Sequence, residues 1–291
     1  MKKILSFCVL LLMSAAGFSQ GGQIKESLKM ESALLGGPVE YSIYLPAGYD
    51  SSNRSYPVLY LLHGYSDDET GWVQFGEVAR IADEGVAKGE VSPVIIVMPN
   101  GKVTWYCNDY KMANPWEDMF VKEFIPSIEK TYRVRVKKEF RAISGLSMGG
   151  YGSLMLSMRH PDLFSSCVAF SSGTFTDQEI VAMPDDNYKM FFGDIFGQDL
   201  KGDKRISENW KAHSPLHLIY DVPKDKLKGI RFYIDCGDDD FLFEGNSQLH
   251  IQMRKQDIVH EYRTRQGGHE WGYWRSGLAE GLKFISQSFH R

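Results

Sequence analysis

Several functional classes are excluded by what this 291-residue chain lacks. It carries four cysteines and no Cys-x-x-Cys spacing, so neither a disulfide framework nor a thiolate zinc site is written into it. There is no His-Glu-x-x-His. The densest acidic run, Asp238-Asp239-Asp240, lacks the spacing of a calcium loop, so no metal is expected. No glycine-rich phosphate loop appears either, and no cofactor is expected. Positive charge is not in excess. With 33 Lys and Arg against 37 Asp and Glu the formal net charge is −4, which argues against nucleic acid or an anionic membrane as partner. Internal repeats and low-complexity stretches are absent as well.

The amino terminus stands apart from the rest. Lys2 and Lys3 precede an apolar run over 4–13, and Ser14-Ala15-Ala16-Gly17 follows it. That run falls well short of the roughly 20 residues a spanning helix needs. The pattern is that of a secretory signal over 1–19, with cleavage near Ser19–Gln20 and no membrane anchor afterwards. Losing Lys2 and Lys3 takes the net charge from −4 to −6. The protein is therefore expected to be secreted or periplasmic. Cys8 leaves with the signal. Cys167 reads as a buried strand residue, and whether Cys107 pairs with Cys236 stays open.

Residues 20–291 read as a single α/β domain. Alternating stretches such as 39–46 look like antiparallel edge strands. Nearly continuous apolar runs at 57–62 and 94–98 mark strands covered on both faces, and further strands are expected at 164–170, 230–235 and 260–264. Helical spacing lies between them at 75–86, 116–132 (with Pro126 as a kink), 151–159, 244–255 and 271–289. This alternation implies a mostly parallel sheet with helices on both faces. The rhythm breaks at 171–222, a polar segment with embedded aromatics including Phe191-Phe192-Gly193. It reads as an insertion folded over the carboxyl end of the sheet, a lid or substrate wall.

The chain is organised around Gly145-Leu146-Ser147-Met148-Gly149, entered by an apolar run with β-branched content and left by a helix-like stretch. That context makes the pentapeptide a nucleophile elbow with Ser147 exposed at its tip. A serine hydroxyl needs a general base, and the base needs an orienting carboxylate, in the order Ser, acid, His. Cys236-Gly237-Asp238-Asp239-Asp240-Phe241-Leu242 follows a strand directly, and spacing does not choose among its three aspartates. His269, in Gly267-Gly268-His269-Glu270-Trp271, sits in a loop able to bring an imidazole over the elbow. His63 is its competitor, but lies upstream of the serine where this fold puts the oxyanion loop. The remaining histidines, His160, His213, His217, His250, His260 and His290, read as surface residues. Oxyanion donors are expected at the backbone N–H groups of Met148 and Tyr65.

With Leu61-Leu62-His63-Gly64 added, these motifs resemble the esterase D-type α/β-hydrolases over roughly 41–289. That family includes feruloyl esterases of carbohydrate esterase family 1, S-formylglutathione hydrolases and the antigen 85 mycolyltransferases. The resemblance implies an α/β-hydrolase fold, Asp240 as the acid and an oxyanion hole from Tyr65 and Met148. The signal sequence counts against a cytosolic glutathione thioester. It favours a feruloyl esterase-like enzyme acting on an acylated oligosaccharide or a small ester. Trp72, Trp105, Tyr106 and Trp271, near strand-end loops or the last helix start, are expected to bind substrate by stacking. Acetyl xylan esterase and an S-formylglutathione hydrolase-like esterase are the alternative substrate readings. An acyltransferase with the same three side chains and an inactive carbohydrate-binding module are the alternatives in other classes.

Overall fold

In the computed structural model, residues 21–290 are described, so the expected signal segment lies outside the described residues. Eight strands form one sheet: β1 (Gln23–Ser32), β2 (Gly37–Leu45), β3 (Val58–Leu62), β4 (Ile95–Pro99), β5 (Arg141–Leu146), β6 (Ser166–Phe170), β7 (Arg231–Gly237) and β8 (His260–Arg265). Their order across the sheet is β1-β2-β4-β3-β5-β6-β7-β8. β1 and β2 are antiparallel to each other, and β2 to β4; β4, β3, β5, β6, β7 and β8 run parallel.

The central strands read as unbroken apolar runs because both of their faces are covered. In β3, Val58, Tyr60 and Leu62 point into one core while Leu59 and Leu61 point into the other. The first core is closed by the helices Met148–Arg159 and Phe243–Lys255 and by the helical stretch 116–131. The second is closed by Val78–Ala87 and Trp271–Ser286. Each such side chain contributes about 1.5–3 kcal/mol by leaving water, so a charge at Leu61 would be expected to break the sheet locally. All the parallel strands deliver their carboxyl ends to one rim, where open α/β sheets bind ligands.

Three details differ from the sequence reading. The helix expected over 75–86 is two pieces, Gly71–Gln74 and Val78–Ala87, parted where Glu77 takes a left-handed backbone (φ 53°). A Cβ on Gly76 would stand 2.6 Å from the Trp72 carbonyl, so the chain turns there on glycine. The irregularity in 116–131 is a π turn at Phe120–Phe124, where Ile125 N–H reaches back to Phe120 O, one turn ahead of Pro126. Pro126 has no N–H to continue the α ladder, and the wider turn re-pairs the carbonyls. His213 is buried and His160 partly so. Both rings face the buried Glu117 carboxylate, at 3.5 and 2.7 Å, and Arg159 Nε donates to it at 2.8 Å. Burial alone would raise Glu117, but bonds from His160, His213 and Arg159 hold its carboxyl far below the usual range. Cys107, Cys167 and Cys236 are all free and buried, so Cys107 and Cys236 do not pair.

The segment 171–222 contains no strand. It opens at Thr176 with a capping box on Glu179, then runs through short helices from Asp177–Ala182 to Pro215–Asp221. Buried Arg205 ties it internally, donating to the Ile180 carbonyl at 3.1 Å and pairing with Asp185 at 2.5 Å. No helix among the described residues is long and apolar enough to cross a membrane.

Candidate active site

Ser147 stands between β5 and the helix Met148–Arg159 with φ 53° and ψ −118°, a backbone that a non-glycine residue adopts only under strain. Tight packing enforces it. A Cβ on Gly145 would lie 2.5 Å from the Gly149 carbonyl, and one on Gly149 would lie 2.5 Å from the Leu62 carbonyl. Helix and strands therefore approach closely enough to lift the serine out of the sheet. Its hydroxyl lines a cleft of about 660 Å³ at the carboxyl rim.

His269, in the loop after β8, places Nε2 2.9 Å from Ser147 Oγ and Nδ1 3.0 Å from Asp240 Oδ2. Its ring lies between Phe241, 4.6 Å away by centroids, and Trp274, edge-on at 4.9 Å. The Asp240 side chain is fully buried. Burial alone would raise its carboxyl. The His269 hydrogen bond and charge, with the Leu242 N–H and the Ser171 hydroxyl, outweigh that and hold it below the ordinary aspartate range. The other two aspartates of the run point elsewhere. Asp238 accepts from Gly267 N–H at 3.0 Å, pinning the loop that carries His269, and Asp239 is exposed.

The loop after β3 passes beside the serine. A Cβ on Gly64 would be 3.7 Å from Ser147 Cβ. Met148 opens its helix, so its N–H has no intrahelical acceptor. Among the described residues, neither the Tyr65 nor the Met148 N–H donates a backbone hydrogen bond outside a helix or strand, or a bond to a side chain. A hydroxyl, an imidazole and a carboxylate bonded in series beside two open N–H groups is an arrangement able to perform acyl transfer.

Trp105 and Trp271 line the cleft, together with Tyr65, Phe175, Met183 and Phe191. Trp72 and Tyr106 do not. Their rings are 1% and 0% exposed, Trp72 donating to Leu62 O at 2.9 Å and Tyr106 to His63 O at 2.8 Å, so their expected stacking on substrate is corrected to a core role. Proximity to a strand end placed them near the rim without telling which way the rings turn. His63 is also in the core, with Nδ1 2.7 Å from Gly64 O and Nε2 accepting from Gly101 N–H at 2.8 Å. The sequence reading passed over Ser171, which accepts from Trp274 Nε1 at 3.0 Å while supporting Asp240. Its position directly after β6, at the same rim, was the available signal. Phe241 was named only as part of a motif; its exposed ring over His269 marks the cleft mouth. No group of three or more His, Cys, Asp or Glu suited to a metal ion is found among the described residues.

Comparison with known proteins places the chain in a family. The Esterase family model matches residues 32–285. A ferulic acid esterase structure is 31% identical, with a TM-score of 0.78, covering 92% of this chain and 99% of that one. The acetyl esterase of Caldicellulosiruptor saccharolyticus is 26% identical over 82% of this chain and 86% of its own. The endo-1,4-beta-xylanase/feruloyl esterase of Xylanibacter ruminicola is 35% identical over 48% of this chain, a match that spans only 20% of that longer protein.

Proposed function

The chain belongs to the Esterase family and has the α/β-hydrolase fold. From that premise we propose that it is a secreted or periplasmic serine carboxylesterase releasing feruloyl or related hydroxycinnamoyl groups from plant-type polysaccharide fragments. The observation that carries the reading is the series Ser147–His269–Asp240, with its contacts at 2.9 and 3.0 Å, opening into an aromatic cleft.

In the proposed mechanism Ser147 Oγ attacks the ester carbonyl carbon as His269 Nε2 takes its proton. The carbonyl oxygen, now an oxyanion, is received by the N–H groups of Tyr65 and Met148. Asp240 holds the imidazole by Nδ1–H and stabilises its cation. The carbon–oxygen bond to the sugar breaks, His269 returns the proton to the departing hydroxyl, and an acyl-enzyme remains. Water, deprotonated by His269, attacks that acyl group; the second collapse frees the acid and restores the serine.

The cleft favours an uncharged aromatic acyl group. Trp105, Phe175, Phe191 and Trp271 offer flat apolar walls, and a volume of about 660 Å³ is ample for a phenylpropenoyl unit. Its charged lining residues are Asp67 and Glu270, with no Lys or Arg among the described residues there. Burial, aided by the Asp68 charge, pushes the Asp67 carboxyl up. Such a lining opposes an anionic glutathione conjugate. The likeness to an acetyl esterase keeps a smaller acyl group as the second reading. Rates on methyl ferulate, acetylated xylan and a p-nitrophenyl acetate standard test the choice. Highest kcat/KM on methyl ferulate is expected, and release of acetate from xylan with no action on methyl ferulate would reverse it. An added sugar acceptor separates hydrolysis from acyl transfer by whether a new ester appears.

A further inference from the structure

We propose that Trp72, Tyr106 and His63 form a clamp on three successive backbone carbonyls, and that this clamp aims the Tyr65 N–H at the oxyanion. The inference rests on the esterase reading above and assigns these buried side chains a positioning role in it.

The chain leaving β3 has its carbonyls taken one after another by side-chain donors. Leu62 O accepts from Trp72 Nε1 at 2.9 Å, His63 O from the Tyr106 hydroxyl at 2.8 Å, and Gly64 O from His63 Nδ1 at 2.7 Å. All three donors are at most 1% exposed. The tautomer of His63 follows from its other contact. Gly101 N–H donates to Nε2 at 2.8 Å, so Nε2 carries the lone pair and Nδ1 the hydrogen. Burial lowers the pKa of this imidazole to about 4, keeping it neutral near pH 7.

The third bond matters most. Gly64 O and the Tyr65 N–H belong to one planar trans peptide and point in opposite directions. Holding the oxygen on the core side, by His63 and by Asp67 N–H at 3.2 Å, sends the hydrogen away from the core. The loop passes beside Ser147, whose Cβ is 3.7 Å from where a Gly64 Cβ would be, and the clamp as proposed turns the hydrogen toward it. Glycine at 64 lets the loop pass so close, and it also leaves that peptide without a side chain to fix it. The clamp supplies the missing restraint. Its far end is anchored in the loop after β4, where Lys102, Trp105 and Tyr106 take left-handed backbones (φ 47°, 54° and 62°). Bulky residues hold such conformations only when their surroundings over-determine them, and Tyr106 is packed against Trp116 at 4.8 Å. An oxyanion donor stabilises the transition state only if it is already in place, and losing one costs about 10²–10³ in kcat.

Wild type, His63→Leu, His63→Asn, Tyr106→Phe and Ser147→Ala are compared for kcat, KM and Ki of an aryl trifluoromethyl ketone, whose serine adduct carries an oxyanion. A fluorophosphonate titrates the competent sites, so losses are counted per folded active site. His63→Leu is expected to lower kcat about 10²-fold, to leave KM within about twofold and to raise Ki in step with kcat. His63→Asn, whose amide can still donate to Gly64 O, should recover most of both. Tyr106→Phe should cost about tenfold with the same split. A role confined to folding would lower thermal stability and the titrated fraction while leaving kcat per site and Ki unmoved, and that result overturns the clamp. Should His63→Leu not fold, Tyr106→Phe decides alone: unchanged kcat and Ki overturn the proposal. Retained turnover in Ser147→Ala would bring down the esterase reading itself, whereas a dead Ser147→Ala beside an unimpaired His63→Leu removes the clamp only.

Discussion

The strand-end loops after β3, β5, β7 and β8 face the segment 171–222 across one cleft, and the two walls are held in different ways. On the strand-end side, close approach fixes positions: helix against strand at Gly145 and Gly149, and buried donors on consecutive carbonyls. The opposite wall is a chain of short helices. It meets the rim through bonds from Tyr65 hydroxyl to Met190 O at 2.8 Å and from Trp105 Nε1 to Phe191 O at 2.7 Å. Met190 itself is exposed. One wall has little freedom to vary without losing the reacting geometry. The other also carries exposed positions, such as Met190, whose side chains can change without touching the reacting groups. Chemistry is thus expected to live in the first wall and substrate range in the second, so damage to each should register in different kinetic constants.

The largest effect that would sharpen this contrast falls within the acidic run. Asp240→Asn should lower kcat about 10³–10⁴-fold with KM nearly unchanged, because an amide no longer stabilises the imidazolium. Asp238→Asn keeps an acceptor for Gly267 N–H and Asp239 faces solvent, so both asparagine variants should stay within about threefold of wild type. Steady-state rates on methyl ferulate check the ranking, and the reverse order would move the acid to another residue.

A change in the opposite wall should behave otherwise. Phe191→Ala removes a ring that packs on Tyr65 at 5.2 Å and lines the cleft. KM for methyl ferulate should rise about tenfold while kcat/KM on a p-nitrophenyl acetate changes little. An equal loss on both esters would erase the distinction between the walls.

The smallest effect concerns the joint between them. Glu117 links Arg159 and His160, at the end of the serine's helix, to His213 in the inserted segment. Its folded pKa lies below its unfolded value. The stabilisation it gives is therefore complete above pH about 4.3 and is lost as pH falls through the folded pKa. Glu117→Gln should lower Tm by about 5 °C at pH 7, and the gap from wild type should narrow as the pH is taken below about 4. A gap that is constant across that range would mean the charge is not what ties the walls together.

The rigid wall was legible in the sequence for a physical reason. Strands covered on both faces must be apolar throughout, as 57–62 and 94–98 are, and an elbow this tight demands glycine at 145 and 149. The order Ser147, Asp240, His269 follows from which strands end at the rim. Side-chain direction was not legible. Trp72 and Tyr106 sit at the right places in the chain for substrate contact, yet their donors turn inward to carbonyls. His160 and His213 read as surface residues because their partner, Glu117, is 43 and 96 positions away in the chain. The single carboxylate that turns both rings inward has no local signature. Nor does the π turn at Phe120–Phe124, since the apolar spacing on either side of it is ordinary for a helix.

The most direct measurement is turnover of methyl ferulate by Ser147→Ala, with folding checked by circular dichroism and wild type labelled in parallel by a fluorophosphonate. Loss of hydrolysis by about 10⁴-fold or more in a folded variant that no longer takes the label is the predicted result. Ferulate release at a wild-type rate from the folded variant would contradict it.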